Sequence, residues 1–247
     1  MTQKDTFNPS YFFELKKAEG THFWFHVRRK WIYDSIRRFI LHPAKVLEVG
    51  CGTGNVSSYL ARKGYTVTGC EFFQEASYFS WPGFQRVLAD ANCLPFEDNT
   101  FDVVCLLDVI EHLNDDITPL KEAHRVLRRG GIAVVTVPAG EELWSQSDEF
   151  AYHKRRYTRE KLQMVFSGAL LDVCKIDYMF MSLYFPMKLM KRQKIDVADT
   201  FKINRVTNIL MKGVFDTERM FSKFVSLPFG TSLVAVAQKG IQESPSA

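Results

Sequence analysis

The chain has no run of about 18 apolar residues, so no transmembrane helix is expected. Its first residues, Met1-Thr2-Gln3-Lys4-Asp5, lack the apolar stretch of a secretion signal, which makes the cytoplasm the expected location. Cysteine is sparse. The five, Cys51, Cys70, Cys93, Cys105 and Cys174, are an odd number without CxxC spacing, and several sit in strand-like apolar runs. They read as reduced core residues, neither disulfides nor zinc ligands. Excess charge is also missing. Thirty-two basic residues face 28 acidic ones, for a net charge of +4, so no nucleic-acid partner is expected. No cluster has metal-ligand spacing, and no metal is expected.

What is present is the composition of a folded domain. Of the 247 residues, 46% are hydrophobic and 24% charged, and that length suits one α/β domain with additions. Aromatics reach 14%, including 21 Phe, which fits core filling or an apolar pocket. Short β-like runs, Lys45 to Val49, Tyr65 to Cys70, Arg86 to Ala89, Phe101 to Leu107 and Ile132 to Val137, alternate with helical stretches. Two more are expected at Leu171 to Met179 and Ser232 to Gln238. This alternation predicts a Rossmann-like, seven-stranded, mostly parallel sheet flanked by helices.

Two additions frame it. Residues 1–42 carry an amphipathic helix from Trp24 to Leu41 and form an N-terminal extension or lid. The core spans residues 43–180, with a helix from near Ile117 stopped at Gly130-Gly131. Residues 181–230 form a helical insertion, with Phe201, Val206, Leu210, Val214, Phe221 and Phe224 at helical steps, which with the N-terminal helix is expected to cover the site. Residues 231–247 hold the last strand and a tail, Gln242 to Ala247, expected to be disordered.

The first strand carries Glu48 and runs into Gly50-Cys51-Gly52-Thr53-Gly54, a turn whose backbone can approach a ligand closely. A dinucleotide pyrophosphate needs glycine at position 55, where Asn55 stands, so the turn favours a ligand without phosphate. S-adenosylmethionine, with its sulfonium, amino-acid tail and adenosine, fits that description. Glu71 ends the second strand, where a carboxylate accepts from ribose hydroxyls, with Phe72 beside it. Asp90-Ala91 follows the third strand, at the adenine position, and Leu107-Asp108 ends the fourth beside the same crevice.

Here the motifs resemble a family. Val46-Leu47-Glu48-Val49-Gly50-Cys51-Gly52-Thr53-Gly54 is similar to motif I of class I S-adenosylmethionine-dependent methyltransferases. Glu71, Asp90-Ala91, Leu94-Pro95-Phe96, Phe101-Asp102-Val103-Val104, Glu111-His112-Leu113 and Arg125 to Gly131 follow in the order of the ubiquinone biosynthesis methyltransferases. The resemblance implies that Glu48 and the glycine loop hold the methionine end, Glu71 the ribose and Asp90-Ala91 the adenine. His22-Phe23-Trp24-Phe25-x-x-Arg28-Arg29 resembles the lid helix of a subgroup, and Leu227-Pro228-Phe229-Gly230 resembles another of its segments.

Further candidates come from position. Trp24 and Arg28, one turn apart, can cover the cofactor and bind its carboxylate. His112 can act as a general base, or merely pack against the next helix. His153, Arg156 and Tyr157, in His153-Lys154-Arg155-Arg156-Tyr157, supply donors where an acceptor would enter. Asp108-Val109-Ile110-Glu111 replaces the Asp-Pro-Pro-Tyr of base-amine methylation, and no Pro-Cys pair supports pyrimidine C5 chemistry. The expected reaction is methyl transfer to a small or lipid-like acceptor, with possible peripheral membrane contact through Tyr184 to Lys191. A non-catalytic S-adenosylmethionine-binding regulator is the alternative, and an NAD(P)-dependent oxidoreductase a weaker one.

Overall fold

The computed structural model describes residues 11–190 and 203–240. Phe201 and the tail Gln242 to Ala247 lie outside the described residues. Seven strands form one sheet in the order β3-β2-β1-β4-β5-β7-β6. These are β1 (Lys45–Val49), β2 (Thr66–Glu71), β3 (Gln85–Leu88), β4 (Phe101–Leu107), β5 (Leu127–Pro138), β6 (Leu171–Met179) and β7 (Ser232–Lys239). The first five pair in parallel, while β7 runs antiparallel to both β5 and β6. The mostly parallel Rossmann-like sheet is therefore observed as expected.

Apolar side chains alternate between the two faces along each central strand. Leu47, Val104, Ala133 and Val135 enter one core, beneath α4 (Thr118–Val126) and α6 (Arg159–Gly168). Val46, Val103, Cys105, Ile132 and Val134 enter the other, beneath α2 (Phe23–Arg37) and α3 (Asn55–Ala61). Burial on both faces explains why these strands read as nearly unbroken apolar runs.

Helix α4 ends at Val126, not at Gly130-Gly131 as expected. Leu127 already pairs with Phe101, and Lys239 Nζ donates to the Leu127 carbonyl at 2.8 Å, so the chain joins the sheet five residues early. The surplus residues bulge out between the Phe101 and Val103 pairings, and Gly130 there has φ +73°. The N-terminal segment holds a helix that the sequence did not suggest, α1 (Tyr11–Thr21), docked through Phe12 on Phe73 and Ala76. Cys51, Cys70 and Cys105 are buried as expected, but Cys93 and Cys174 are exposed. The short helix α5 (Gln146–Phe150) lies between β5 and α6.

The insertion between β6 and β7 contains α7 (Tyr184–Met190) and α8 (Arg205–Phe221). Helix α8 packs along α2. Phe215 stacks on Phe23 with ring centres 5.3 Å apart, Lys30 pairs with Asp216 at 2.8 Å, and Arg219 pairs with Asp34. Asn208 accepts from the Phe23 N–H and donates to the Thr21 carbonyl, both at 2.8 Å. Buried Glu218 accepts from the backbone N–H groups of Met181 and Ser182. Helices α2 and α8 are thus joined side by side along one face of the sheet.

Candidate active site

Where the strand order reverses between β1 and β4, the loops at the carboxyl ends of the strands enclose a cavity of about 1090 Å³. Strand β1 enters it through the glycine loop. Gly50 has φ +67°, and a Cβ there would stand 2.6 Å from Val109; Gly54 has φ +81°, and a Cβ there would stand 2.1 Å from the Phe84 ring. Side chains are excluded at both positions, so at Gly50 bare backbone faces the cavity. Helix α3 begins directly after the loop.

Carboxylates line the same space. Glu48 is buried and accepts from Ser57 Oγ. Burial pushes its carboxyl up to about 7, although the Ser57 hydroxyl and the Arg28 charge pull the other way. Glu71 ends β2 and accepts three backbone N–H bonds, from Gly52 at 2.7 Å, Phe72 at 2.9 Å and Phe73 at 3.1 Å. It therefore fixes the glycine loop against its own strand end. Asp90 accepts from the Asn92 N–H at 2.8 Å and Nδ2 at 2.9 Å in a local turn. Asp90, Ala91, Phe72, Leu107 and Asp108 all reach the cavity wall.

Arg28 is nearly buried and pairs with Asp108 at 2.8 Å while donating to Thr136 Oγ1 at 3.1 Å; the Thr136 hydroxyl donates onward to Asp108 at 3.0 Å. Its guanidinium lies 5.1 Å from the centre of the Trp24 ring. Both residues line the cavity, with Arg28 held in place by the protein's own acid.

A second polar group converges opposite. Asp148 Oδ1 and Oδ2 receive Arg156 Nε and Nη2 at 2.9 and 3.0 Å, and Oδ1 also bonds His153 Nδ1 at 2.9 Å. Arg156 gives a further bond to the Ala139 carbonyl at 2.9 Å, so its donors serve the protein itself. His112 packs edge-on to His153, with ring centres 4.8 Å apart. Burial, reinforced by His153, holds His112 down to about 4, which makes it a weak base at neutral pH. Glu111, wholly buried beside them, is pushed well above the ordinary carboxylate range by burial and by Asp108.

Two expected site residues stand elsewhere. Tyr157 is fully buried in the core, and its hydroxyl donates to Asp116 at 2.9 Å, so it is absent from the cavity wall. Gly54 turns the chain under Phe84 and also lies off the wall. Glu48, Gly50, Cys51, Gly52, Thr53, Glu71, His112, His153 and Arg156 all line it. Sequence reasoning missed Glu19 of α1, which takes Thr53 Oγ1 at 2.5 Å and Trp81 Nε1 at 2.8 Å over the glycine loop. It also missed Asp148, although its partners Ser145, His153 and Arg156 all lie close to it in sequence and the Ser145-x-x-Asp148 capping box is a local signal.

The state of Glu48 gives a first expected outcome. Its folded carboxyl titrates near 7 and the unfolded one near 4.5, so the folded state holds the extra proton between these values. Stability present in acid is therefore lost as pH rises through 7, by about 3 kcal/mol. Glu48→Gln should melt several degrees above the parent at pH 8 and close to it at pH 4.5 in scanning calorimetry. An equal difference at both pH values would show Glu48 to be ionised throughout.

Residues 47–135 match the family model described as "Methyltransferase domain". A demethylmenaquinone methyltransferase of Staphylococcus epidermidis is 34% identical over 118 residues, which cover 41% of this chain and 48% of the relative. A 2-methyl-6-phytyl-1,4-hydroquinone methyltransferase of Synechocystis is 36% identical over 111 residues, covering 42% and 33%. The chain thus matches about half or less of these relatives' length. In fold it is similar to a Haloferax volcanii protein solved with the Trm112 methyltransferase activator, with a TM-score of 0.62, 19% identity, and coverage of 93% of this chain and 94% of that one. The likeness to methyltransferases is thus carried in sequence by residues 47–135, and beyond them by the fold.

Proposed function

We propose that the cavity binds S-adenosylmethionine and that the chain transfers its methyl group to a small quinol-like or lipid-like acceptor. The observation that carries this reading is the juxtaposition of Glu48, Glu71 and the glycine backbone in one cavity at the carboxyl ends of β1, β2 and β4. The residues suit the ligand. Glu19 and Glu48 are buried acids bonded to hydroxyl and indole donors, an environment that favours a cation. Glu48 and residues 50–53 would hold the methionine end, Glu71 with Phe72 the ribose, and Asp90-Ala91 the adenine. Leu107 and Asp108 would flank the sulfonium side.

When bound, the cofactor supplies an activated methyl on a sulfonium, so the chain's task is alignment and exclusion of water. The rest of the wall suits an apolar acceptor: Phe12, Phe23, Phe25, Leu183 and Met187 all reach it. The quinone-type names of the relatives point the same way. No helix among the described residues is long and apolar enough to cross a membrane. Exposed Leu189, Val206, Ile209 and Leu210 on α7 and α8 nevertheless fit an acceptor met at a lipid surface.

Titration calorimetry should give a micromolar dissociation constant for S-adenosylhomocysteine and far weaker binding of NAD. Tighter binding of NAD would defeat the assignment. Release of S-adenosylhomocysteine on adding quinols separates an enzyme from a regulator that only senses the cofactor.

A further inference from the structure

Among the described residues, one set of metal-ligating side chains comes together. Glu111, His112 and His153 each offer one ligand atom, and these atoms lie within 4.8 Å of one another. Bonds of about 2.0–2.2 Å to one cation span such a group after modest side-chain rotation. All three residues line the cavity.

A second, independent observation concerns Glu111 alone. Its side chain is completely buried, and neither carboxylate oxygen meets a donor from another residue. A buried acid that meets no donor beyond its own backbone is costly unless something outside the chain satisfies it. Its neighbours here are imidazoles that present ligand atoms to the same point.

A third observation concerns His153. Its Nδ1 is bonded to Asp148 Oδ1 at 2.9 Å, and Arg156 holds that carboxylate through two further bonds. With the proton placed on Nδ1 by this contact, Nε2 is left as a lone-pair donor. Carboxylate-to-histidine support of this kind fixes the tautomer and orientation of metal-binding imidazoles. One carboxylate and two imidazoles are a donor set that suits zinc and its transition-metal neighbours, and poorly suits magnesium or calcium.

We propose that Glu111, His112 and His153 bind one divalent cation of the zinc class in the cavity wall, leaving open coordination positions that take an oxygen of the acceptor. The clause about the acceptor rests on the methyl-transfer reading. The metal site itself does not.

The test uses the full chain, stripped with chelator and titrated with Co²⁺ and then Zn²⁺. One equivalent of Co²⁺ should bind with visible d–d bands, and Zn²⁺ should displace it. Exposed Cys93 and Cys174 are alternative zinc ligands, so the titration is repeated in C93S/C174S, where the equivalent should persist. Glu111→Gln and His153→Ala should each weaken binding at least about tenfold. S-adenosylhomocysteine calorimetry, run alongside, should be unchanged in Glu111→Gln. Failure of the parent to take up one equivalent, or affinity unchanged from the parent in both variants, overturns the proposal. Glu111→Gln should fold, since it replaces a buried acid that no other residue's donor satisfies with an uncharged side chain of the same shape. Should His153→Ala unfold, parent stoichiometry and Glu111→Gln decide alone. Metal uptake without S-adenosylhomocysteine binding would sink the functional reading and keep the site; the reverse would sink only the site.

Discussion

Asp148→Ala is expected to destabilise the protein by about 3–5 kcal/mol, the cost of leaving one member of a buried ion pair behind. The stranded charge is Arg156, itself 5% exposed, which now bonds Asp148 through two nitrogens. Asp148 also closes the N-terminal capping box of α5 with Ser145 and orients His153, so three contacts are lost together. A fall in melting temperature on the order of 10 °C should be seen by calorimetry. Adding Arg156→Met should restore part of it, because the double variant leaves no uncompensated charge. No restoration would place the cost in the helix cap instead.

The pH dependence follows from the same contacts. Burial opposes ionisation of Asp148, but the His153 hydrogen bond and the Arg156 charge outweigh it and hold the carboxyl below its ordinary 3.8. A depressed folded value means that the contribution is complete above that pH and is lost as the pH falls through the folded value. The parent-to-variant difference should therefore narrow in strong acid.

This network marks a limit of what the sequence displayed. Strands β4 and β6 were readable to their terminal residues, because Val103, Val104, Cys105 and Leu106 form an unbroken apolar run and Leu171 to Met179 is bounded by turns. The glycine loop and the acids at successive strand ends were readable too, since their spacing is local. Helix α1 was not. Its Glu14, Lys16, Lys17 and Glu19 hide an apolar stripe of which Phe12 and Ala18 are the buried members. Tyr157 looked like a donor within a basic loop, yet its bond to Asp116 depends on the return of β5 toward α6. Glu19, Glu111 and Asp148 are ordinary acids in sequence. Burial gives all three their character, and for Glu19 the distant partners Thr53 and Trp81 as well; burial is not encoded at short range.

Glu71→Ala should weaken S-adenosylhomocysteine binding by about 1.5–3 kcal/mol, the range for losing charge-assisted hydrogen bonds in a partly dry crevice. The expectation rests on the proposed ribose contact, but the geometry adds a second cost. Glu71 also satisfies the N–H groups of Gly52, Phe72 and Phe73, and burial raises its carboxyl while those three bonds oppose the rise. Truncation orphans three donors, so melting should fall as well, by the equivalent of about 1–3 kcal/mol. Glu71→Gln separates the two effects. Its amide keeps one oxygen for the loop but replaces the other acceptor with a donor, so stability should recover more than affinity does. A Glu71→Ala protein that melts early yet binds S-adenosylhomocysteine as tightly as the parent would make Glu71 a clasp on the glycine loop and leave the ribose without its assigned partner.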